Sequence, residues 1–207
     1  MTGKSWTQWH TAYDDPDSEL SRRLVAVRER IRTALDAAKP GPIRVVSMCA
    51  GDGRDLLGAL DGHSRRRDVR ATLVELDPEL AARGRAAAAG TGVEVVQGDA
   101  ALTDLYSAVV PAGLVLACGI FGNITEADMV RTIAALPGFM VPGGTVIWTR
   151  HREEPDLVPR INAWFDEHGF ELVWVSDKQA GYGVGVHRLI GPARPLRTGE
   201  RLFTFVS

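Results

Sequence analysis

The chain reads as a single α/β domain, a mostly parallel sheet with helices on both faces, and three observations predict it. Short apolar runs recur at residues 45–48, 69–76, 93–97, 114–118 and 145–148, with stretches of helical periodicity between most of them. Strands buried on both faces read as near-continuous hydrophobic runs, and strand alternating with helix is the pattern of a parallel sheet. The second observation is where the glycines fall: the first run breaks into Ala50-Gly51-Asp52-Gly53, and helical character resumes at Arg54-Asp55-Leu56-Leu57. Glycine at a strand-to-helix turn lets the backbone approach a ligand, and the helix start behind it offers free N–H groups to a carboxylate or phosphate. The third is that the next two runs end in acids, Glu75 and then Gly98-Asp99-Ala100.

Bulk properties narrow the function. At 207 residues the chain fits one domain with a sizeable core, and its 45% hydrophobic and 24% charged residues are ordinary for a soluble globular protein. A net charge of −2 offers no bulk attraction to nucleic acid or to an anionic membrane, so neither is expected as a partner. The N-terminus lacks the apolar core of a secretory signal. The longest apolar region, residues 108–122, holds Pro111 and several glycines and is too short to span a bilayer, so a cytoplasmic location is expected. Cys49 and Cys118 make no disulfide framework and no zinc spacing; they read as small hydrophobes at the ends of neighbouring strands.

Taken in order, residues 1–39 form an N-terminal helical segment and residues 40–207 the main domain. Trp6, Trp9 and Tyr13 are spaced i, i+3, i+7 on one face of a short helix, with His10 among them. Two readings stand: a staple packed on the domain surface, or a flap over a substrate, where aromatic rings exclude water. Residues 18–38 make an amphipathic helix with Leu20, Leu24, Val27, Ile31 and Leu35 on one stripe and a solvated face of arginines and glutamates. Pro40-Gly41-Pro42 ends it. His63-Ser64-Arg65-Arg66-Arg67-Asp68 reads as a solvated basic connector. Asp77-Pro78 starts the next helix as N-cap and N1 proline, and Gly90 ends it. Asp77 is thereby assigned to capping, leaving Glu75 for ligand binding.

Thr125 with Asp128 three residues on resembles a capping box, which places Asn123 on the loop between the fourth strand and its helix. Pro142-Gly143-Gly144 turns into the fifth strand, with Arg150 and His151 at its carboxyl end. Residues 156–168 are helical, with Gly169 as the stop, and residues 170–176 and 183–189 form the last two strands of a seven-stranded sheet. The tail, Leu202-Phe203-Thr204-Phe205-Val206, alternates like one further strand of unassigned partner.

Glu75 lies 22 residues after Gly53, and an acid about 20 residues past such a glycine loop accepts hydrogen bonds from ribose hydroxyls in dinucleotide-type folds. Over residues 43–190 the glycine loop, Glu75 and Asp99-Ala100 together resemble the cofactor site of class I S-adenosylmethionine-dependent methyltransferases. The resemblance implies a Rossmann-like domain with a terminal antiparallel strand, and S-adenosylmethionine as cofactor. It implies that Gly51 and Gly53 underlie the methionine part, Glu75 holds the ribose, and Asp99 with Ala100 meets adenine. Cys49, Ala50, Leu76 and Cys118 belong to the same correspondence. The family often has an acid where Ser47 stands and a glycine where Cys49 stands; Asp52 is the substitute source of charge near the methionine ammonium. A nicotinamide reading is weaker, because Gly51-x-Gly53 is followed by Gly58 rather than by glycine three positions on.

The expected activity is therefore transfer of an activated methyl group to an O or N nucleophile of a small molecule. A cofactor-binding module without catalysis is the alternative and a nicotinamide-dependent oxidoreductase the third reading. Ligands collect at the carboxyl ends of strands, so the first three strands hold the cofactor while the fourth and fifth, with the N-terminal segment, hold the acceptor. The catalytic candidates are His151, Asn123, Tyr13 and His10, and the substrate-binding candidates Trp6, Trp9, Phe121 and Arg150. His151 is the candidate base, with a helix cap or a backbone bond as the competing role. The loop after the fourth strand lacks the Asn/Asp-Pro-Pro-aromatic signature of amino-methylating families and the acid of metal-dependent catechol-type enzymes, so no metal is expected. The oligomeric state is open.

Overall fold

A computed structural model of the chain describes Asp15 and residues 18–206. Among these, the elements run α1 (Glu19–Ala37), β1 (Ile43–Met48), α2 (Arg54–Leu60), β2 (Val69–Glu75), α3 (Pro78–Ala88), β3 (Val93–Gln97), β4 (Ala112–Ala117), α4 (Glu126–Ala135), β5 (Met140–His151), α5 (Val158–Glu167), β6 (Phe170–Val175) and β7 (Tyr182–Leu189). The seven strands form one sheet in the order β3-β2-β1-β4-β5-β7-β6. The first five are parallel, while β7 runs antiparallel to both β5 and β6. The sheet reverses its order between β1 and β4, where a doubly wound fold opens its ligand crevice.

Successive side chains of a strand point to opposite faces, and the core divides accordingly. Val45, Leu73, Leu114, Leu116 and Ile147 join a cluster under α1, α2 and α3. Val46, Val74, Val115, Val146 and Trp148 join the opposite cluster, under α4 and α5. That second face is aromatic. Trp148 stacks on Phe165 at 6.1 Å, and the buried His187 stacks on Phe165 at 4.1 Å and accepts the Trp148 indole N–H at 3.1 Å. Gly185 makes room for this: a Cβ there would lie 2.3 Å from the Trp148 ring.

Most elements fall where the sequence predicts them, and four details differ. β5 begins at Met140, with Pro142, Gly143 and Gly144 inside it. The irregularity is absorbed by a register shift against Ala112 and Leu114 and by Gly143 at φ 79°. Two arginines of α1 do more than face solvent: Arg28 Nε donates to the Arg54 carbonyl, and the exposed Arg32 donates to the carbonyls of Gly58, Ala59 and Asp61. The Gly58, Ala59 and Asp61 carbonyls lie at the carboxyl end of α2, where helix acceptors are left without intrahelical partners, and are satisfied from a neighbouring helix. Nor is Arg65 part of a free basic connector. It donates to the carbonyls of Ala38, Lys39 and Gly41 and pairs with Asp68, clamping the exit of α1. Finally, residues 192–206 form no sheet strand. They cross the carboxyl edge as a strap held by two isolated bridges, Leu102 to Arg201 and Ile124 to Phe205.

No helix among the described residues is long and apolar enough to cross a membrane. Nor is any group of three or more His, Cys, Asp or Glu placed among them to hold a metal ion.

Candidate active site

The loop after β1 is shaped by three residues with positive φ: Cys49 at 52°, Gly51 at 58° and Gly53 at 77°. For a cysteine this region is uncommon. It puts a side chain at a bend that glycine usually occupies. The turn is closed by Gly53 N–H donating to the Ala50 carbonyl at 2.9 Å, and Ala50 N–H donates across to Val74 at 3.0 Å. Glu75, at the end of β2, ties the loop down. Its Oε2 accepts the Gly51 N–H at 2.7 Å and its Oε1 the Asp77 N–H at 2.8 Å. Burial raises the Glu75 pKa against the pull of these two bonds. Asp77 is the N-cap of α3, accepting from Glu79 and Leu80 as its sequence position predicts.

After β3, Asp99 Oδ1 accepts the Ala101 N–H at 3.0 Å and Oδ2 pairs with Arg201 at 2.8 Å. Tyr106 fixes the same turn by donating to the Ala100 carbonyl at 2.9 Å. These strand ends border a cleft of about 530 Å³, within the range of small-molecule sites. Gly51, Glu75, Leu76, Asp99 and Ala100 line one side of it, and Arg201, Phe203, Thr204 and Phe205 of the strap close it.

Cys49, Gly51 and Gly119 also border a second, smaller hollow, which extends under α1 past Arg23, Asp55, Cys118 and Thr149. Both cysteines are free thiols, partly exposed rather than wholly buried, with their pKa values pushed up by burial. The charge in this hollow is not the predicted one. Asp52 is paired with Arg54, at 2.5 Å, and does not line either space; Asp55 does. Burial raises the Asp55 pKa, opposed by Arg23 and Arg28, and its carboxyl bonds Cys118.

On the acceptor side the structure reassigns three candidates. Phe121 is fully buried, 5.9 Å from Trp148 and 6.4 Å from Phe165, and is core rather than substrate wall. Arg150 points to that same face and donates to the Phe121 carbonyl at 2.5 Å. Asn123 Nδ2 donates to the Gly119 carbonyl at 2.9 Å while its own carbonyl accepts the Val206 N–H, so it closes the loop on itself. Asp128 completes only half of a capping box. Thr125 caps Asp128 N–H, but the Asp128 carboxylate turns to Thr204 N–H and Arg131.

His151 remains at the edge. It pairs with Tyr182 across β5 and β7, packs by Gly122, and holds Nδ1 3.9 Å from Glu153. Burial, then the Arg150 charge, lowers its pKa, with Glu153 and the Gly122 backbone opposing. Trp6, Trp9, His10 and Tyr13 lie outside the described residues. Phe203 and Phe205 fall in the alternating run of residues 202–206, which shows a strand-like repeat but not where it docks, and Arg201 lies just outside that run.

A family model described as "Putative methyltransferase" matches residues 20–179. No curated protein matches the chain. Among solved structures, an O-methyltransferase family protein from Burkholderia thailandensis superposes with a TM-score of 0.64 at 15% identity, covering 87% of this chain and 57% of its own. A structure from Listeria monocytogenes described as a "putative class i s-adenosylmethionine-dependent methyltransferase" gives 0.61 at 13%, covering 82% and 62%. CalO1, a methyltransferase of calicheamicin biosynthesis solved with S-adenosylhomocysteine bound, gives 0.53 at 21%, covering 86% and 60%. At these identities the likeness is one of fold, and the chain spans about three fifths of the length of these structures.

Proposed function

This chain belongs to that methyltransferase family, and we propose that it transfers the activated methyl group of S-adenosylmethionine to an oxygen or nitrogen nucleophile of a small molecule. The observation that carries the reading is the cleft in which a buried carboxylate and a positive-φ glycine share one wall. The residues present fit the cofactor. Gly51 brings bare backbone to the cleft floor. Glu75 spends one acceptor position of each oxygen on a backbone N–H, and a carboxylate has about four, so positions remain for two ribose hydroxyls. Leu76 and Ala100 provide apolar surface beside it.

In this reading Gly51, Glu75, Leu76, Asp99 and Ala100 hold the cofactor, with Cys49, Ala50, Gly53 and Cys118 shaping the loops around it. Asp55, rather than Asp52, supplies charge toward the amino-acid end. The sulfonium, when bound, supplies the electrophilic methyl group. The chain's own part is to align the nucleophile, exclude water and receive a proton. His151 suits the last of these roles, because its lowered pKa leaves the imidazole neutral at physiological pH and able to accept a proton from the attacking atom. Trp6, Trp9, His10 and Tyr13 are proposed to cover the acceptor; deleting residues 1–13 then removes turnover and spares cofactor affinity.

Calorimetry against S-adenosylhomocysteine and NAD tests the cofactor. Micromolar binding of the first and none of the second is expected, and the opposite result overturns the reading. Transfer of labelled methyl from S-adenosylmethionine into a small-molecule extract separates an enzyme from a binding module.

A further inference from the structure

A hollow of about 560 Å³ lies between α4 and the first half of the strap, and it shares no lining residue with the large cleft. Its size is that of a small-molecule site. Ala134, Ala135 and Leu196 give it apolar lining, and its charged residues are Arg131, Arg194, Arg197 and Glu200. The strap is fixed here by backbone bonds at both ends. Arg194 N–H donates to the Pro137 carbonyl at 3.0 Å, and Gly138 lets the strap come close, since a Cβ there would lie 3.2 Å from Leu196 Cα. At the other end the buried Thr103 donates its N–H to the Glu200 carbonyl at 3.0 Å, and its hydroxyl accepts the Glu200 N–H at 3.0 Å. The Asp104 carboxylate accepts the Gly199 N–H at 3.0 Å.

Two of the arginine side chains take no part in this fixing. The Arg194 guanidinium makes no hydrogen bond or ion pair among the described residues, and that of Arg197 has only Glu200, at 3.9 Å. An exposed pair at that distance contributes little. Arg131 is paired with Asp128 beside the hollow. A chain of net charge −2 thus gathers three guanidiniums against one lining acid around an apolar surface. Guanidinium forks match phosphate oxygens two at a time. Two unspent forks suit a dianion with three acceptor oxygens better than a carboxylate with two.

We propose that this hollow binds a small phosphate ester with an apolar body, the phosphate held by Arg194 and Arg197 with Arg131 alongside, and the body against Ala134, Ala135 and Leu196. The site is separate from the cofactor cleft, and the proposal does not rest on the cofactor reading.

Calorimetric titration of the full chain with phenyl phosphate, inorganic phosphate and phenol tests it. Phenyl phosphate is expected to bind at a single site and more tightly than inorganic phosphate, and phenol not at all. Arg194→Gln combined with Arg197→Gln is expected to weaken phenyl phosphate by roughly tenfold, the scale of a hydrogen bond to a charged group, with the melting temperature unchanged because the strap is held by its backbone. Saturating S-adenosylhomocysteine is expected to leave phenyl phosphate binding as it was. Displacement by it would put the anion in the cleft and overturn the proposal. So would wild-type affinity in the folded double variant, or no binding of phenyl phosphate by the wild-type chain. Phenyl phosphate held no more tightly than inorganic phosphate marks an adventitious ion only, and phenol held as tightly as phenyl phosphate marks a merely apolar hollow; both overturn it. A chain that binds phenyl phosphate but no S-adenosylhomocysteine keeps this proposal and fails the cofactor reading.

Discussion

At the ends of β1, β2 and β3 the polar groups facing the cleft are backbone atoms and carboxylates fixed by bonds between neighbouring loops, with acceptor positions to spare. At the ends of β4 and β5 the corresponding side chains are consumed by the fold: Phe121 in the core, Arg150 on a carbonyl, Asn123 on its own loop. The difference teaches how such a domain divides its labour. In the proposed reading the first half holds the cofactor with backbone geometry, and the second is a frame that leaves His151 and the hollow under α1 to the acceptor.

The sharpest way to break this division is Gly51→Val. A β-branched residue at φ 58° is strained by about 1–3 kcal/mol and puts a side chain into the cleft. Calorimetry is expected to detect no S-adenosylhomocysteine binding by a folded variant; normal affinity would make the loop a mere connector. Gly53→Val is a poorer probe, since its Cβ would also meet Leu73 at 2.8 Å and disturb the core.

On the other half, His151→Ala is expected to lower turnover by roughly 10²- to 10⁴-fold with cofactor affinity and melting temperature unchanged. A fall in melting temperature with activity preserved would make His151 structural. In wild type, kcat/KM should rise with pH through a value below the ordinary histidine range, because the neutral imidazole is the active form.

The aromatic face under β5 has its own pH signature. The His187 pKa is lowered to about 4 by burial, so the unfolded chain takes up the proton near 6.5 and the folded chain does not. Stability is then full above about pH 6.5 and is lost as pH falls toward 4, by up to roughly 3 kcal/mol. Urea denaturation at pH 7 and pH 4.5 measures it, and a His187→Leu variant with the same pH slope as wild type would assign the loss elsewhere.

Glu75→Gln tests whether one group serves both loop and ligand. Cofactor affinity is expected to fall by about 1.5–3 kcal/mol, the scale for hydrogen bonds to a charged group, and the melting temperature to fall with it, since the Gly51 N–H loses a charged acceptor. Affinity lost without any change in stability would place the carboxylate on the ligand alone. The smallest effect belongs to Asn123→Ala, about 1 kcal/mol of stability from the lost bond to Gly119. A loss of turnover like that of His151→Ala would return Asn123 to the reacting atoms.

The parts of this molecule that were legible in the sequence are those whose partners are near in the chain or fixed by topology. Asp77 caps α3 from one residue away, and Glu75 finds Gly51 because β1 and β2 must be neighbours. Val45 and Val46 announce their opposite faces by alternation. What was not legible depends on distant docking. Arg28, Arg32 and Arg65 look like surface charge until the ends of α1 and α2 meet them. Phe121 is indistinguishable in sequence from a pocket aromatic until Trp148 and Phe165 pack on it. Asp52 and Asp55 stand three positions apart, and the sequence alone does not show that Asp52 pairs with Arg54 while Asp55 lines the hollow.

The strap's two bridges to the sheet edge are isolated, not part of a ladder, so its amides are protected one bond at a time. In hydrogen exchange the Leu202 and Val206 amides should open locally, well ahead of the central strands β1 and β4, whose protection approaches the global unfolding limit. That difference sets a clock at the cleft: the wall carrying Phe205 can leave and return many times within the lifetime of the folded domain.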